Sequence, residues 1–490
     1  MNSIKTLGEL KASGYQAKSV KEELRANLIK KLQSKEPVFE GVIGFDETVL
    51  PDIERAILSQ HNVLLLGLRG QAKTRIARLL VKLLDEYIPV VTGSELNDDP
   101  MAPISKVALE IIEKHGDDTP ISWLHREDRY VEKLATPDVS VADLIGDVDP
   151  IKAAALKLPY SDERVIHFGL VPRAHRGIFV INELPDLQAR IQVSLFNILQ
   201  EGDIQIRGFK LRLPLDIQFI FTANPEDYTN RGSIITPLKD RIESQILTHY
   251  PKTIEIAREI TAQEARVVKA QKNKIAVPEL LEVLLEMIVF EARESEFIDE
   301  KSGVSARLSI SAYENLVSTA ERRALINGDK ETTARVIDFW GVIPAITGKV
   351  ELVYEGEQEG PYGVAMALLS HALKKMFLNH FPDPDKLKRG EQNDPYGTIR
   401  TWFSAGNTLD LVNDSSDKDF KKALDDVAGL KKLVQQHTKV KGEELYTYME
   451  LALHGLVEFD ILNKDVLESS LSFRDLLANM LDDDLFDNLN

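Results

Sequence analysis

The chain has 490 residues, of which 43% are hydrophobic and 28% are charged, and its formal net charge at pH 7 is -18. This length predicts roughly two to four domains, the negative charge disfavours broad binding to nucleic acid or anionic membranes, and the lack of cysteine excludes disulfides and cysteine-ligated metals. No apolar run reaches the length of about 18 residues that a membrane span needs, and the N-terminus lacks the apolar core of a signal peptide, so we expect a cytoplasmic protein.

The first half of the chain is predicted to contain a helical leader and an α/β domain. Residues 1–37 are rich in lysine, with leucines at helical spacing, and end at Pro37. Residues 38–250 alternate helical segments with short apolar runs, which is typical of an α/β domain with a parallel sheet. The runs that we predict to be buried strands span residues 62–66, 177–181 and 217–223.

The second half is predicted to be mainly helical. Residues 251–350 have an almost purely helical pattern, and the glycines and proline of residues 356–363 then predict a loop. A further helical region fills most of the segment 351–490, whose role no motif indicates. We interpret residues 410–416 as a loop, because their spacing does not fit a metal-adhesion site and an apolar strand beside them is missing. The ten histidines show no metal-ligand pairing, so we predict no zinc site.

A phosphate-binding loop is predicted after the first strand. The apolar run is followed by a glycine-containing turn, by Lys-Thr, and then by apolar residues at helical spacing. In such a unit the loop N–H groups face the phosphates, the lysine reaches the β- and γ-phosphates, and the threonine hydroxyl serves Mg²⁺. The predicted nucleotide-binding residues are Gly67, Leu68, Arg69, Gly70, Gln71, Ala72, Lys73 and Thr74.

The loop departs from the usual pattern at one position. Ala72 stands where G-x-x-x-x-G-K-[ST] has its last glycine. Alanine serves there without strain if the backbone has a negative φ, and we therefore expect a negative φ at Ala72. The alternative interpretation is an ordinary strand-to-helix turn in which Lys-Thr occurs by chance.

Polar residues at the ends of two later strands are predicted to complete a nucleotide site. Asn182 and Glu183 follow the strand at 177–181, where phosphate-loop ATPases place a Mg²⁺-shell group and a catalytic acid. Asn182 can accept from a Mg²⁺-bound water but carries no charge, so we expect weaker Mg²⁺ binding than with aspartate. Glu183 is predicted to polarise the attacking water, and Asn224 to orient it or contact the γ-phosphate. Ordinary polar caps on strand ends are the alternative.

Three arginines are candidates for contact with the γ-phosphate. Arg241, and after it Arg231, could come from a neighbouring subunit and stabilise transition-state charge. For Arg241 the alternative is a surface salt bridge with Asp240 or Glu243. Arg307 lies near the start of a predicted helix, from which it could reach the nucleotide.

The order of these motifs resembles that of the AAA+ ATPases, and more narrowly the branch of the MoxR-type ATPases and the ATPase subunit of magnesium chelatase. Three features carry the resemblance, which covers about residues 38–350. They are the A-K-T ending of the loop, the segment 168–178, which resembles G-L-x-x-A-H-R-G, and the segment 197–208, which resembles L-x-E-G-x-h-x-h-x-G. Asn182 is the clear departure, because the family has aspartate there.

The resemblance implies a fold, cofactors and partners. The fold would be an α/β AAA+ phosphate-loop core with a parallel sheet and β-hairpin insertions at 38–250, followed by an α-helical lid at 251–350 and the helical region at 351–490. Subunits would form a ring, usually a hexamer, with ATP and Mg²⁺ at their interfaces, and a von Willebrand A-type partner domain would be a separate protein. The implied roles are Walker A at residues 67–74, with Thr74 on Mg²⁺, Walker B at Asn182, which holds Mg²⁺ through water, and at Glu183, sensor 1 at Asn224, an arginine finger at Arg241 and sensor 2 at Arg307.

Two insertions are predicted to form hairpins. One lies at residues 204–213, where Gln205, Arg207, Phe209, Leu211 and Leu213 share a face while Lys210 and Arg212 add charge to the other. A basic hairpin on an acidic protein fits a docking surface for a client, and equally fits an edge strand blunted by charge. The other insertion is predicted at residues 159–167.

Three functions fit the sequence. The first is an ATP-driven remodeller or chaperone of a protein client, which includes roles in metal or cofactor insertion and, as a narrower case, a magnesium-chelatase motor subunit. The second is a nucleotide-binding scaffold that hydrolyses little because Asn182 weakens Mg²⁺ binding. The third, a DNA-linked motor or sigma-54-type activator, is disfavoured by the net charge and by the absence of a helix-turn-helix signature and of a G-A-F-T-G-A sequence.

Overall fold

The computed structural model describes residues 4–160, 162–206, 212–225, 232–387, 394–466 and 470–475. It divides into two compact units, Met1–Tyr250 and Pro251–Asn490. The predicted leader and α/β core lie in the first unit, and the predicted lid and C-terminal region lie in the second. In the part of the chain that is described, no helix has the length and apolarity needed to cross a bilayer.

A five-stranded parallel sheet forms the centre of the first unit, with the spatial order β11-β1-β10-β7-β4. The strands of the unit are β1 (Val63–Leu66), β2 (Tyr87–Val91), β3 (Ile121–His125), β4 (Tyr130–Leu134), β5 (Gly146–Val148), β6 (Ile166–Phe168), β7 (Gly177–Asn182), β8 (Asp203–Gln205), β9 (Arg212–Pro214), β10 (Ile217–Ala223) and β11 (Ser244–Leu247). The three predicted strands are confirmed as β1, β7 and β10.

Helices cover both faces of this sheet. The α-helices are Leu7–Ala12, Val20–Ser34, Val49–Leu58, Lys73–Leu79, Lys106–His115, Val141–Leu144, Pro150–Leu156, Leu170–Arg173, Ala189–Ser194, Phe196–Glu201 and Thr236–Lys239. Short 3-10 helices lie at Leu80–Leu83, Gly116–Asp118, Arg126–Arg129, Glu163–Val165 and Leu184–Asp186.

The central strands alternate between two hydrophobic cores, as strands buried on both faces do. In β7, Phe179 and Ile181 pack into one core, whereas Ile178 and Val180 pack into the other. The second core also holds Ile76 and the apolar residues of the helices Val20–Ser34 and Val49–Leu58. The helix that follows the phosphate loop therefore lies on the same face of the sheet as Val180.

The predicted insertion hairpins are formed only in part as expected. β8 pairs with β9 in antiparallel fashion, and residues 207–211 between them, which include Arg207, Phe209, Lys210 and Leu211, lie outside the described residues. The prediction of a hairpin within residues 159–167 is wrong, because β6 pairs with β5, which precedes it by a helix, Pro150–Leu156.

The N-terminal leader packs onto the sheet through buried charges. It contains two helices, and a capping box of Ser19 and Glu22 begins the second. Glu23 on that helix forms a buried, two-pronged ion pair with Arg129, with N–O distances of 2.7 and 2.6 Å. Because both charges are removed from water, loss of either partner would leave the other uncompensated.

Asp216, just before β10, also holds this helix. Its Oδ2 accepts a hydrogen bond of 2.7 Å from the backbone N–H of Val20. Burial raises the pKa of Asp216 to about 6, and the hydrogen bond from Val20 and the guanidinium of Arg176 offset this rise only in part. The folded protein therefore binds a proton here more tightly than the unfolded chain does.

We expect Asp216→Asn to stabilise the first unit by up to about 3 kcal/mol at pH 7.5, because it removes the cost of ionising this buried carboxyl group. The folded pKa exceeds the unfolded value of 3.8, so the cost is present above pH 6 and is lost as the pH falls toward 4. The gain should shrink to about a third at pH 4.5. Urea unfolding at both pH values measures this gain in the free energy of unfolding. The control is Asp117→Asn, which removes an exposed carboxylate paired with Lys11. A gain that does not change with pH would contradict the assignment.

The second unit is mainly helical and has one extended core, from Ile275 to Phe473. Its α-helices are Ile254–Glu264, Lys269–Lys272, Glu279–Glu294, Arg307–Asn327, Ile343–Thr347, Tyr354–His380, Gly397–Ser404, Asp417–Asp425, Leu430–His437 and Glu443–Glu458, and 3-10 helices lie at Val336–Gly341 and Pro384–Lys386. Its strands are β12 (Ile275–Ala276), β13 (Thr332–Thr333), β14 (Leu409–Val412), β15 (Leu462–Val466) and β16 (Ser470–Asp475).

Two predictions for the second unit are wrong. Residues 356–363 form no loop, because the helix Tyr354–His380 runs through them with a kink at Gly360, whose φ of 76° interrupts the helical backbone just before Pro361. Residues 410–416 are not wholly a loop, because β14 lies at their start and pairs with β16, which in turn pairs with β15.

Candidate nucleotide-binding site

The predicted loop, Asn182, Glu183 and Asn224 meet at the carboxyl ends of the central strands. The phosphate loop follows β1, Asn224 follows the neighbouring β10, and Asn182 and Glu183 end β7, the next strand. The phosphate loop follows β1 and Glu183 follows β7, so the loop and Glu183 lie on opposite sides of the strand between them, β10. This edge is where α/β sheets of this kind bind ligands.

The loop is compact and its glycines are needed. A Cβ on Gly67 would overlap Thr248 Oγ1 and Gln71 Oε1, and these two groups form a hydrogen bond of 2.7 Å. Gly70 has a φ of 73°, which favours glycine. Close packing thus explains the glycine at position 67, and a positive φ explains the glycine at position 70. The backbone oxygen of Arg69, between them, accepts a hydrogen bond from the hydroxyl of Tyr250.

The expectation for Ala72 is wrong. Its φ is 56° and its ψ is 12°, which is the left-handed conformation, and the helix Lys73–Leu79 begins directly after it. The position therefore requires a left-handed backbone conformation. Glycine would adopt this conformation freely, whereas alanine adopts it at a cost of about 1 kcal/mol. The loop keeps its shape because the packing around it compensates for this strain.

We expect Ala72→Gly to leave the free energy of unfolding within about 0.5 kcal/mol of wild type, because relief of the left-handed strain offsets the added freedom of the unfolded chain. The matched control is Ala77→Gly in the buried, regular part of the same helix, which should cost at least about 1 kcal/mol. Thermal or urea unfolding compares the two. Equal losses at both positions would show that Ala72 is not strained.

Lys73 and Glu183 are joined through Asn224. The Lys73 ammonium donates to the amide oxygen of Asn224 at 2.6 Å, and the Asn224 amide nitrogen donates to Glu183 Oε2 at 2.9 Å. Lys73 also donates to the backbone oxygens of Gly67 and of Leu68, the latter at 2.9 Å. The structure thus brings the three residues into one hydrogen-bonded group.

Glu183 has an unusual backbone conformation. Its φ of 55° and ψ of 51° are left-handed, and its N–H donates to Thr222 Oγ1 at 3.2 Å. A non-glycine residue held in this conformation is strained, and such strain is concentrated at functional sites. The turn directs Glu183 toward Asn224, so its carboxylate lies beside the loop instead of along β7.

Asn182 and Thr74 lie side by side, as the prediction of a shared Mg²⁺ site requires. The Asn182 amide oxygen accepts from Thr74 Oγ1 at 3.5 Å and from Thr222 Oγ1 at 3.2 Å. Its amide nitrogen donates to Glu132 Oε1 at 2.7 Å. Glu132, on β4, is therefore a neighbour of the site that sequence reasoning missed.

These residues suit a nucleoside triphosphate with Mg²⁺. The ammonium of Lys73 and the loop N–H groups are donors of the kind that phosphates need. The Thr74 hydroxyl and the Asn182 amide oxygen are hard oxygen ligands, of the type that Mg²⁺ binds directly or through water. The triphosphate and its metal ion would be held by the loop on one side and by Asn182 and Glu183 on the other.

The arginines are placed differently from one another. Arg241 donates through Nε and Nη2 to Gln200 Oε1, at 3.0 and 2.8 Å, and its guanidinium lies 4.8 Å from the centre of the Phe196 ring. These contacts take the place of the salt bridge considered as the alternative. Arg307 is exposed at the first turn of a helix in the second unit. Arg231 lies outside the described residues.

Comparisons with known proteins agree with a core of the AAA+ type. Residues 159–246 match the family model of the sigma-54 interaction domain. The chain is also 30% identical over 165 residues to the archaeal Lon protease of Thermococcus kodakarensis, a match that covers 31% of this chain and 25% of that protein. The matched part is therefore only a quarter of that relative's length.

Two solved structures have a partial likeness to this chain. NtrX from Brucella abortus in complex with ATP is 13% identical, with a TM-score of 0.35 over 63% of this chain and 58% of that one. A chain of the complex between BchI and BchD of magnesium chelatase is 20% identical, with a TM-score of 0.33 over 66% of this chain and 98% of that one. The parallel sheet with helices on both faces, together with the match at 159–246, identifies the fold as α/β of the AAA+ type with a helical C-terminal region, and supports an AAA+ ATPase.

Proposed function

We propose that the protein binds ATP with Mg²⁺ and hydrolyses it as a subunit of a ring, using the energy to remodel a protein client. Lys73 and Thr74 hold the phosphates and the metal, and Glu183 polarises the attacking water, which Asn224 orients. Arg241 of one subunit stabilises transition-state charge at the site of the next, and Arg307 keeps its predicted role as sensor 2. Metal or cofactor insertion into the client, as in magnesium chelatase, is the narrower form of this proposal.

The observation that carries the proposal is the hydrogen-bonded group of Lys73, Asn224 and Glu183. A phosphate-binding cation and a carboxylate converge there on one amide side chain, so a single ligand between them would contact all three. In phosphate-loop ATPases the same pairing positions the γ-phosphate next to its attacking water. An ordinary turn between β1 and its helix would not require the carboxylate of Glu183, which comes from the second strand along the sheet from β1.

A nucleotide-binding scaffold with little hydrolysis is the second candidate, and Asn182 favours it. Because the amide carries no charge, it binds Mg²⁺ less strongly than aspartate. A sigma-54-type activator shares the matched family model, but the chain contains no G-A-F-T-G-A sequence. We therefore retain the scaffold as the alternative.

Hydrolysis by a ring should rise with protein concentration and depend on Arg241. We expect Arg241→Ala to bind ATP as wild type does and to lose at least about 100-fold in the concentration-dependent turnover, because the finger acts only across an interface. Phosphate release over a range of protein concentrations measures this. The control is Arg55→Ala, which removes an exposed arginine paired with Asp52. A rate that is independent of concentration and of Arg241 would rule out this role of the residue.

A further inference from the structure

We propose that Glu132 is a positioning residue for Mg²⁺, which holds the amide of Asn182 with its oxygen turned toward Thr74 and the metal. The inference rests on the proposed nucleotide site, since the orientation of Asn182 matters there. It assigns a role to a residue on β4 that belongs to neither the phosphate loop nor the end of β7. It also explains how asparagine can serve where the family has aspartate.

An asparagine at this position needs an orienting partner, whereas an aspartate does not. Both oxygens of an ionised aspartate accept hydrogen bonds, so either can face a metal-bound water. The amide of asparagine has one accepting and one donating end, and only the accepting end can serve a metal. In the reverse orientation the NH₂ group of Asn182 would point at Thr74 and would repel the cation.

Glu132 determines which end faces the metal. An ionised carboxylate can only accept, so it requires the NH₂ end of Asn182, which lies 2.7 Å from it. The amide oxygen then points at the hydroxyls of Thr74 and Thr222, at 3.5 and 3.2 Å. Reversal would bring the amide oxygen against the carboxylate and break this arrangement at both ends.

The surroundings keep Glu132 ionised and in place. Arg78 donates to its two oxygens at 2.9 and 3.1 Å, and the hydroxyl of Tyr130 donates to it at 3.0 Å. With the guanidinium on both of its oxygens, the carboxylate is left to accept, and not to donate, the hydrogen bond that it shares with Asn182. The side chain of Glu132 is 22% exposed and that of Arg78 is 64% exposed.

Orientation, and not added charge, is the effect that this geometry supports. The guanidinium of Arg78 balances the charge of the Glu132 carboxylate within hydrogen-bond distance. The carboxylate is also separated from Thr74 by the whole amide group of Asn182. Glu132 therefore acts on the metal through Asn182, as the outer partners of metal ligands do.

The test measures Mn²⁺ binding, as a substitute for Mg²⁺, to the complex of the full chain with a non-hydrolysable ATP analogue, by electron paramagnetic resonance. Glu132→Gln should weaken Mn²⁺ binding about tenfold, because a glutamine can donate as well as accept and so permits both orientations of Asn182. Binding of the analogue in EDTA should be unchanged. The matched control is Glu40→Gln, which removes a carboxylate paired with Lys82 on the same unit.

Rescue separates positioning from a merely structural role. In the double variant Glu132→Gln with Asn182→Asp, Mn²⁺ binding should return to the wild-type level or exceed it, because aspartate needs no orienting partner. Asn182→Asp alone should bind Mn²⁺ no more tightly than the double variant does, because Glu132 then places a second carboxylate directly against the first.

Two results would overturn the inference. One is unchanged Mn²⁺ affinity in Glu132→Gln, and the other is that Glu132→Gln weakens Mn²⁺ binding as much in the Asn182→Asp protein as in the wild type. Failure of the wild-type protein to bind the analogue in EDTA would instead contradict the proposed function.

Discussion

Lys73→Ala is expected to weaken ATP binding by at least about 100-fold, because it removes the cation that we propose contacts the β- and γ-phosphates, and charged hydrogen bonds contribute about 1.5–3 kcal/mol each. The side chain is buried and donates to Asn224 and to two backbone oxygens. Fluorescence titration with a labelled ATP analogue measures the affinity.

Because the substitution also removes these donors, the folded state must be checked. Thermal unfolding without nucleotide would show a loss of roughly 1–3 kcal/mol from the unsatisfied acceptors, and Lys82→Ala, an exposed lysine just beyond the same helix, is the control. If a folded Lys73→Ala protein kept wild-type affinity, the loop would not be the phosphate site.

Glu183→Gln is expected to reduce ATP turnover by about 100-fold or more with no loss of binding, because general bases contribute 10²–10⁴-fold. Glutamine can still accept the hydrogen bond that Asn224 donates to Glu183, so the geometry of the group is retained. Phosphate release and equilibrium binding, measured on the same preparation, separate the two effects.

The same pair of proteins decides between the two candidate functions. A wild-type rate well above that of Glu183→Gln supports the motor, whereas equal rates support the scaffold. Glu40→Gln serves as the control for loss of a carboxylate on this unit. Clients that are released on hydrolysis should accumulate on Glu183→Gln, which makes it the form in which to identify them.

The sequence predicted three of the five strands of the central sheet and the proximity of three candidate site residues. The run at 62–66 is followed by the loop that ends at Lys73, and the runs at 177–181 and 217–223 are followed by polar residues. Parallel strands bring the residues that follow them to one edge of the sheet. Lys73, Glu183 and Asn224 are consequently the residues whose proximity the order of motifs anticipates. Their roles in catalysis stay predictions until the variants are measured.

Other features could not be read from the sequence, for identifiable reasons. The φ of Ala72 depends on the closed shape of the loop and not on local propensity. Glu132 lies within an edge strand and belongs to no motif, and its only signal is a carboxylate on the face of β4 that it shares with Tyr130. β14 was missed because it is short and its partner strand, β16, lies far along the chain.

The core of the second unit has a mechanical consequence. Arg323, in the helix that Arg307 begins, forms buried ion pairs of 2.9 Å with Asp338 and with Asp417, and Asp417 also pairs with Arg335 at 2.6 Å. The helical segments before and after residue 350 are thereby tied into one stiff body. A displacement of the helix Arg307–Asn327 would therefore be transmitted directly to Asp417 and to the helix Asp417–Asp425 that it begins.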